Sequence, residues 1–313
     1  MKAFQLIQQK LGLSNQEWIL LVNTAPYRYK TYNIPKRSGG QRQIAHPSKS
    51  LKIVQRLILE TVLCELPTHK DVAMAYEKDS STLKHAKKHA DNRFLLKMDF
   101  KNFFPSLSGD DFDKLCKEYL PELNQVEIKQ LKRLLFWMPD RHKNELVLSI
   151  GAPSSPKVSN ALLYNFDKQL NDYCLNVGVT YSRYADDMAF STNSPHLLTQ
   201  VFSQVESLCR QISYPKLMIN ESKTVHVSSK NKRFLTGLVL ANDGTAGIGR
   251  DKKRALRAEL HHFAHSPSSF TDEKRLKLKG MLNYVQSVDH DFVNTMIRMM
   301  SNINPDALLL LKK

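Results

Sequence analysis

The sequence predicts an α+β fold, an antiparallel sheet flanked by helices, followed by a smaller helical region. Three observations carry that expectation. Short apolar stretches bounded by turn residues, at 94–100, 179–191 and 234–240, are interspersed with segments of helical period. No glycine-rich phosphate loop follows any of them. The eleven glycines are sparse, and neither a Walker-type loop nor a G-x-G-x-x-G occurs, which removes P-loop and Rossmann architectures. Beyond the turn signal Asn242-Asp243-Gly244 the composition shifts to basic helices, with nine Lys or Arg against four Asp or Glu from Arg250 to Lys279. A boundary is therefore expected near residue 242, dividing 1–242 from a helical 243–313.

Each element has its own signal. Ser14 to Glu17 spells a capping box, S-N-Q-E, and opens a short apolar helix through Trp18, Leu21 and Val22. The basic stretch 27–42, with its Gly39-Gly40 pair, reads as a hairpin tip, and Pro47 precedes a helix whose apolar face is Leu51, Val54, Leu57, Ile58 and Val62. FLLKMDF at 94–100 is a short strand; helices follow from about Asp110 and over 126–138. The Gly/Pro/Ser-rich loop IGAPSSP (150–156) precedes a helix over 157–176. VTYSRYADDMAFS (179–191) reads as two strands around a tight acidic turn. A helix over 195–212, an extended segment over 217–227 and a buried strand over 234–240 complete the region.

Of the 313 residues, 46 are Lys or Arg and 30 are Asp or Glu, a net +16, or one excess positive charge per roughly 20 residues. Such an excess points to a polyanionic partner. Hydrophobic residues at 42% exclude a disordered or collagen-like chain. Cys64, Cys116, Cys174 and Cys209 lie far apart without any C-x-x-C and are read as core thiols. No stretch of about 18 apolar residues occurs, so a soluble, cytoplasmic protein without a membrane partner is expected.

Two features pair carboxylates with apolar strands: Asp99 at the end of FLLKMDF, and Asp186-Asp187 at the acidic turn. Taken singly, a strand-end Asp serves as a cap, and an Asp pair in a turn is solvated surface. Placed together they are costly unless a cation compensates them, and hard oxygen ligands suit Mg2+. Two such ions about 3.5 to 4 Å apart activate a sugar hydroxyl and stabilise a leaving pyrophosphate.

With YADD (184–187) in its hairpin, KMDFKNFFPSL (97–107), IGAPSSPKVSN (150–160), LMINESKT (217–224) and QRQIAHPS (41–48) in order along the chain, the sequence resembles the reverse transcriptases. The resemblance implies a right-hand polymerase, with fingers and palm over 1–242 and a helical thumb over 243–313 that binds RNA or hybrid. Within that family the chain is most similar to the bacterial retron type. HAKKH (85–89) resembles the retron N-A-x-x-H pattern, with His85 in place of Asn, and FLTGLVL (234–240) resembles the V-T-G motif, with Leu235 in place of Val. Leu235, Thr236 and Gly237 would then help recognise the cognate noncoding RNA.

Site roles follow from the same resemblance. Asp99, Asp186 and Asp187 would be catalytic and hold two Mg2+ ions. Phe104 would stack under the incoming sugar and exclude a 2′-hydroxyl, the alternative being core packing beside Phe103. Arg42 and Lys223 would contact the dNTP triphosphate, and Lys223 could protonate pyrophosphate; both also read as plain surface charge. Ile150 stands where the family commonly has Gln, which removes an amide from the nucleotide loop. Arg250, Lys253, Arg254 and Arg257, with Lys252, would meet duplex phosphates, the alternative being a solvated helix face. His261, His262 and His265 are read as RNA or packing contacts rather than zinc ligands.

The resemblance implies RNA-directed DNA synthesis that copies part of a retron RNA into msDNA, primed from an RNA 2′-hydroxyl, beside an effector or toxin protein in antiphage defence. Two other readings stand next to it. One is a reverse transcriptase of another lineage, a group II intron or diversity-generating element. The other is an RNA-binding scaffold for an effector, against which three retained carboxylates argue.

Overall fold

The computed structural model describes residues 2–36 and 39–312 and divides into two compact units. The first comprises Met1–Ser80 and Leu96–His226, the second Ser81–Leu95 and Val227–Lys313.

The first unit opens with helices Lys2–Lys10 and Asn15–Thr24. The second of these starts at the expected capping box: the Ser14 N–H donates to Glu17 Oε2 at 2.8 Å, and the Glu17 N–H to Ser14 Oγ. Strands β1 (Tyr29–Pro35) and β2 (Gln41–Pro47) pair in seven-residue antiparallel register, so the basic stretch is a hairpin; Arg37 and Ser38 of its tip lie outside the described residues. Ser48 caps the helix Lys49–Thr61, which buries Leu51, Val54 and Ile58 as the 3.6 period requires.

The central sheet has strand order β4-β5-β3-β6, with β3 at Phe94–Asp99, β4 at Thr180–Tyr184, β5 at Asp187–Thr192 and β6 at Val225–Ser228. β4 and β5 form the expected antiparallel hairpin, Tyr184 opposite Asp187. Leu95, Leu96, Met98, Met188, Ala189 and Phe190 are buried, so these strands have apolar side chains on both faces and read as continuous apolar runs. Aromatic rings join the sheet to its helices, with Phe100 stacked on Phe103 at 5.8 Å and edge-on to Phe166 at 5.7 Å.

Several expected elements take another form. The segment 157–176 is two helices, Ser155–Leu162 and Tyr164–Asn176, divided at Leu163. Leu163 stays near helical dihedrals (φ −87, ψ −1), so residue pattern alone carries no break there. The extended reading of 217–227 is replaced by a loop with a 3₁₀ turn at Glu221–Lys223, and regular pairing begins only at Val225. Cys116, Cys174 and Cys209 are buried, whereas Cys64 is exposed and is not a core thiol.

In the second unit, 234–240 is not one strand. It folds back as β7 (Arg233–Leu235) and β8 (Leu238–Leu240), because Thr236 and Gly237 both adopt positive φ, 47 and 83. β9 (Ala246–Gly247) completes a three-stranded sheet. The helix Thr82–Ala90, which carries HAKKH, packs on β8, and Thr236 Oγ1 donates to the Thr82 carbonyl at 3.4 Å. Arg233, buried, donates to the backbone carbonyls of Asn92 and of Ala241, the latter at 2.9 Å. These contacts make 81–95 and the strands after 227 one body with the helices Arg250–His265, Asp272–Gln286, His290–Ile303 and Pro305–Lys312. The compositional break at 242 falls inside the three-stranded sheet, since β9 follows it before the first basic helix at Arg250, and the packing boundary falls earlier, at 227.

Gly249 stands at the start of the first of these helices with φ 80 and ψ 157, backbone space nearly confined to glycine, and a Cβ there would lie 2.7 Å from Val239 Cγ2. Gly249→Ala should lower stability by about 1–3 kcal/mol, measured as a lower Tm with faster amide exchange over 227–313. Wild-type protection in that segment would show that the backbone accommodates the methyl group.

Candidate active site

A two-residue turn, Ala185-Asp186, joins β4 to β5. Ala185 has φ 59, a left-handed conformation that costs an L residue about 1–2 kcal/mol. The turn sets Asp186 and Asp187 side by side at one end of the sheet. The Phe100 N–H donates to the Asp186 carbonyl at 3.2 Å, which draws the end of β3, and with it Asp99, to the same place.

The three carboxylates that the sequence singled out are therefore neighbours. The Asp187 and Asp99 side chains share a hydrogen bond, and Asp186 lies within their electrostatic reach. Lys223 Nζ donates to Asp99 Oδ2 at 2.9 Å. Asn220 donates twice, from its backbone N–H to the Asp99 carbonyl at 2.7 Å and from Nδ2 to Oδ1 at 3.4 Å. Among the described residues no group of three or more His, Cys, Asp or Glu side chains is arranged to hold a metal ion. Here the carboxylates are tied to each other and to Lys223.

The electrostatics follow from that crowding. Burial, and next the charge of Asp99, raise the Asp186 carboxyl above the usual carboxylate range, while Lys223 and Arg42 pull against the rise. Burial, then Asp186 and Asp99, push Asp187 up to about 7. By surface area the Asp187 residue is exposed, so its carboxyl faces the other acids while another edge meets water, and screening there tempers the rise. The hydrogen bond to Asp99 holds the Lys223 ammonium above its ordinary range and keeps it charged.

A cavity of about 300 Å³ is linked to the acids through Tyr76, which lines it and feels the charge of Asp186. Phe104 lines it together with Tyr76, Lys52, Arg56 and the loop Ser149 to Pro153 with Ser155. Phe103 is buried in the core and Phe104 half-buried at the cavity wall, which separates the roles of the two adjacent rings. Gly151, at φ 127, sets the loop on β2: a Cβ there would meet the Ala45 carbonyl at 3.2 Å, and the Ala45 N–H donates to the Ile150 carbonyl at 3.1 Å. Ile150 thus contributes its backbone to the β2 contact and lines the cavity. Arg42, exposed on β2 opposite Ile34, is close enough to Asp186 for its charge to be felt there.

Sequence reasoning missed Lys52, Arg56, Tyr76 and Asn220. Lys52 and Arg56 stand four residues apart, a spacing that shares one helix face and could have been noticed. Tyr76 and Asn220 carried no signal, since they reach the site through loops.

The remaining expected site residues lie in the second unit. Leu235 is buried, and Thr236 and Gly237 form the β7–β8 turn, where Lys252 Nζ donates to the Gly237 carbonyl at 3.0 Å. Arg250, Arg254 and Arg257 are exposed on one helix face. Lys253 is ion-paired with Asp289 and lies 5.2 Å over the Phe292 ring, and Arg257 stands 5.9 Å from the same ring. These two cations thus also serve packing within the unit.

The folded pKa of Asp187 lies above its ordinary value of 3.8, so folding favours its protonated form. The group leaves stability intact below about pH 4 and removes it progressively as pH rises to about 7. Without divalent cations, Asp187→Asn should therefore raise Tm more at about pH 8 than at about pH 4. Equal gains at both would place the destabilising charge elsewhere.

Comparisons with known proteins bear directly on this geometry. A model of the family "Reverse transcriptase (RNA-dependent DNA polymerase)" matches residues 34–240, the span that contains the acidic cluster, Lys223 and the cavity. The chain is 33% identical to the Retron Ec83 reverse transcriptase of Escherichia coli over 88% of each chain. It is 31% identical to the Retron Ec86 reverse transcriptase of the same organism over 86% of this chain and 79% of that one. Among solved structures, telomerase from Candida albicans matches in fold with a TM-score of 0.54 at 14% identity, covering 90% of this chain and 56% of the telomerase. On the strength of the matched domain and of the identity to those relatives, the chain belongs to the reverse transcriptases, RNA-directed DNA polymerases, and among them to the retron type.

Proposed function

We propose that this reverse transcriptase copies part of its cognate retron noncoding RNA into single-stranded msDNA, by nucleotidyl transfer at Asp99, Asp186 and Asp187. The observation that carries the reading is the convergence of these carboxylates with Lys223, Arg42 and the Phe104 cavity in one unit. Three carboxylates form an all-oxygen donor set suited to Mg2+, and the Lys223 ammonium resting on Asp99 marks where positive charge is wanted. When bound, two Mg2+ ions would supply activation of the attacking hydroxyl and stabilisation of the leaving pyrophosphate.

The chain's own groups do the rest. Asp99, Asp186 and Asp187 hold the cation positions. Lys223, whose ammonium rests on Asp99, would donate to phosphate oxygens and protonate pyrophosphate. Arg42, with Lys52 and Arg56 at the cavity, meets the triphosphate of the dNTP. Phe104 lies under the sugar. The second unit is read as the thumb, with exposed Arg250, Arg254 and Arg257 facing duplex phosphates and the Thr236-Gly237 turn facing the cognate RNA, while buried Leu235 supports that turn from within and does not itself meet RNA. Priming from an RNA 2′-hydroxyl, and an effector or toxin partner in antiphage defence, rest on resemblance to retron enzymes.

Asp186→Asn with Asp187→Asn should abolish dNTP incorporation, leave RNA binding within about twofold and remove the rise in Tm that Mg2+ produces in the wild type. Full synthesis by the double variant would remove the assignment. Phe104→Ala should raise ribonucleotide incorporation relative to deoxynucleotide by at least about tenfold, the lower end of what a contact of about one methylene discriminates. Unchanged sugar discrimination in a competition assay would return Phe104 to a packing role.

A further inference from the structure

Beneath the acidic turn lies a buried polar network that the proposed chemistry does not use. Arg183, fully buried, points inward from β4. Its Nε and Nη2 donate to the two carboxylate oxygens of Asp167, at 3.0 Å to Oδ1 and 2.6 Å to Oδ2, and the Tyr181 hydroxyl donates to Asp167 Oδ1 at 2.9 Å. That leaves Nη1, which donates to the Ala185 carbonyl at 2.8 Å and to Asn160 Oδ1 at 3.3 Å. The backbone of Arg183 is pinned as well: its N–H donates to the Val72 carbonyl at 2.8 Å, and its carbonyl accepts from the Met74 N–H at 2.7 Å. Asn160 continues the network, with Nδ2 donating to the Ala75 carbonyl at 3.0 Å and to Glu77 Oε1 at 2.9 Å, on either side of the cavity residue Tyr76.

Stability alone is a poor reason for this arrangement. A buried ion pair recovers little more than its desolvation, and apolar side chains of similar volume commonly replace one without loss. They cannot donate to the Ala185 carbonyl. That carbonyl belongs to the peptide plane joining Ala185 to Asp186, whose orientation sets ψ of Ala185 and φ of Asp186 and with them the direction in which the chain carries the Asp186 side chain away from the left-handed Ala185. A guanidinium anchored by Asp167 on one side and bonded to the carbonyl on the other holds that plane in one orientation, next to a residue whose left-handed φ is itself strained.

We propose that Arg183 is a positioning residue for DNA synthesis, holding the Ala185-Asp186 peptide so that Asp186 and Asp187 project toward Asp99. The inference rests on the proposed catalytic role of those aspartates. Asp167 and Tyr181 orient the guanidinium, and Asn160 links the same nitrogen to the backbone around Tyr76.

The test is single-turnover incorporation of one dNTP on a primer–template, recording both the rate and the amplitude that counts active enzyme. Two variants are compared with the full-length wild type. Arg183→Lys keeps a charge against Asp167 but cannot also span to Ala185. The triple variant Arg183→Met, Asp167→Leu, Tyr181→Phe removes the ion pair without leaving a buried charge. Both should lose about 100-fold in rate, the scale set by misplacing a reacting group by about 1 Å, with amplitude equal to the folded fraction seen by circular dichroism. A rate within about threefold of wild type in either variant, at whatever amplitude, overturns the proposal, because Arg183 would then only support folding. Asp186→Asn, measured in parallel, separates the two levels. If it keeps the wild-type rate, the underlying assignment fails and this inference with it; if it is silent while the Arg183 variants run at full rate, this inference alone fails.

Discussion

Like charges crowded at the end of a sheet are the constraint around which the first unit is arranged. Asp99, Asp186 and Asp187 come from two separate stretches of chain, and burial, followed by the charges of the neighbouring carboxylates, raises the proton affinity of the latter two. The neighbouring groups answer that field: Lys223 against Asp99, Arg42 within reach of Asp186, and Asn220 donating to Asp99 from backbone and side chain. Crowding of this kind disfavours the ionised forms of Asp186 and Asp187.

Mechanical support comes from below. A hairpin turn with Ala at positive φ is strained, and glycine or asparagine would be the easier choice. Arg183, Asp167, Tyr181 and Asn160 form a hydrogen-bonded body under it, spanning β4 and both helices of 155–176. The division of that segment at Leu163 has meaning here, because Asn160 and Asp167 reach the same guanidinium from different helices. The loop Ser149 to Pro153 leans on β2 through Gly151, so the cavity wall and the strand bearing Arg42 share one backbone contact.

Charge is divided by task in the same way. A net +16 stated only that some polyanion would bind. In the structure, Lys52 and Arg56 line the cavity and Arg42 acts on Asp186, while Arg250, Arg254 and Arg257 line an exposed helix face in the other unit. Lys253 belongs partly to packing, through Asp289 and Phe292, which a count of basic residues cannot reveal.

What could be read directly from sequence was local. The capping box at Ser14, the amphipathic helix after Ser48, the acidic two-residue turn and the residues of YADD are each written in a few consecutive positions, because short-range hydrogen bonds and side-chain period dictate them. The turn at Thr236-Gly237 was written there too, yet it reads as one strand, since the apolar residues on both sides mask it. What only tertiary structure decided was long-range: that residues 81–95 join the C-terminal unit, that Lys223 rests on Asp99 from 124 positions away, and that Tyr76 lines the cavity with Phe104. These depend on which buried faces meet and where loops are carried by them. No local pattern encodes that choice, because it is settled by packing the whole core at once.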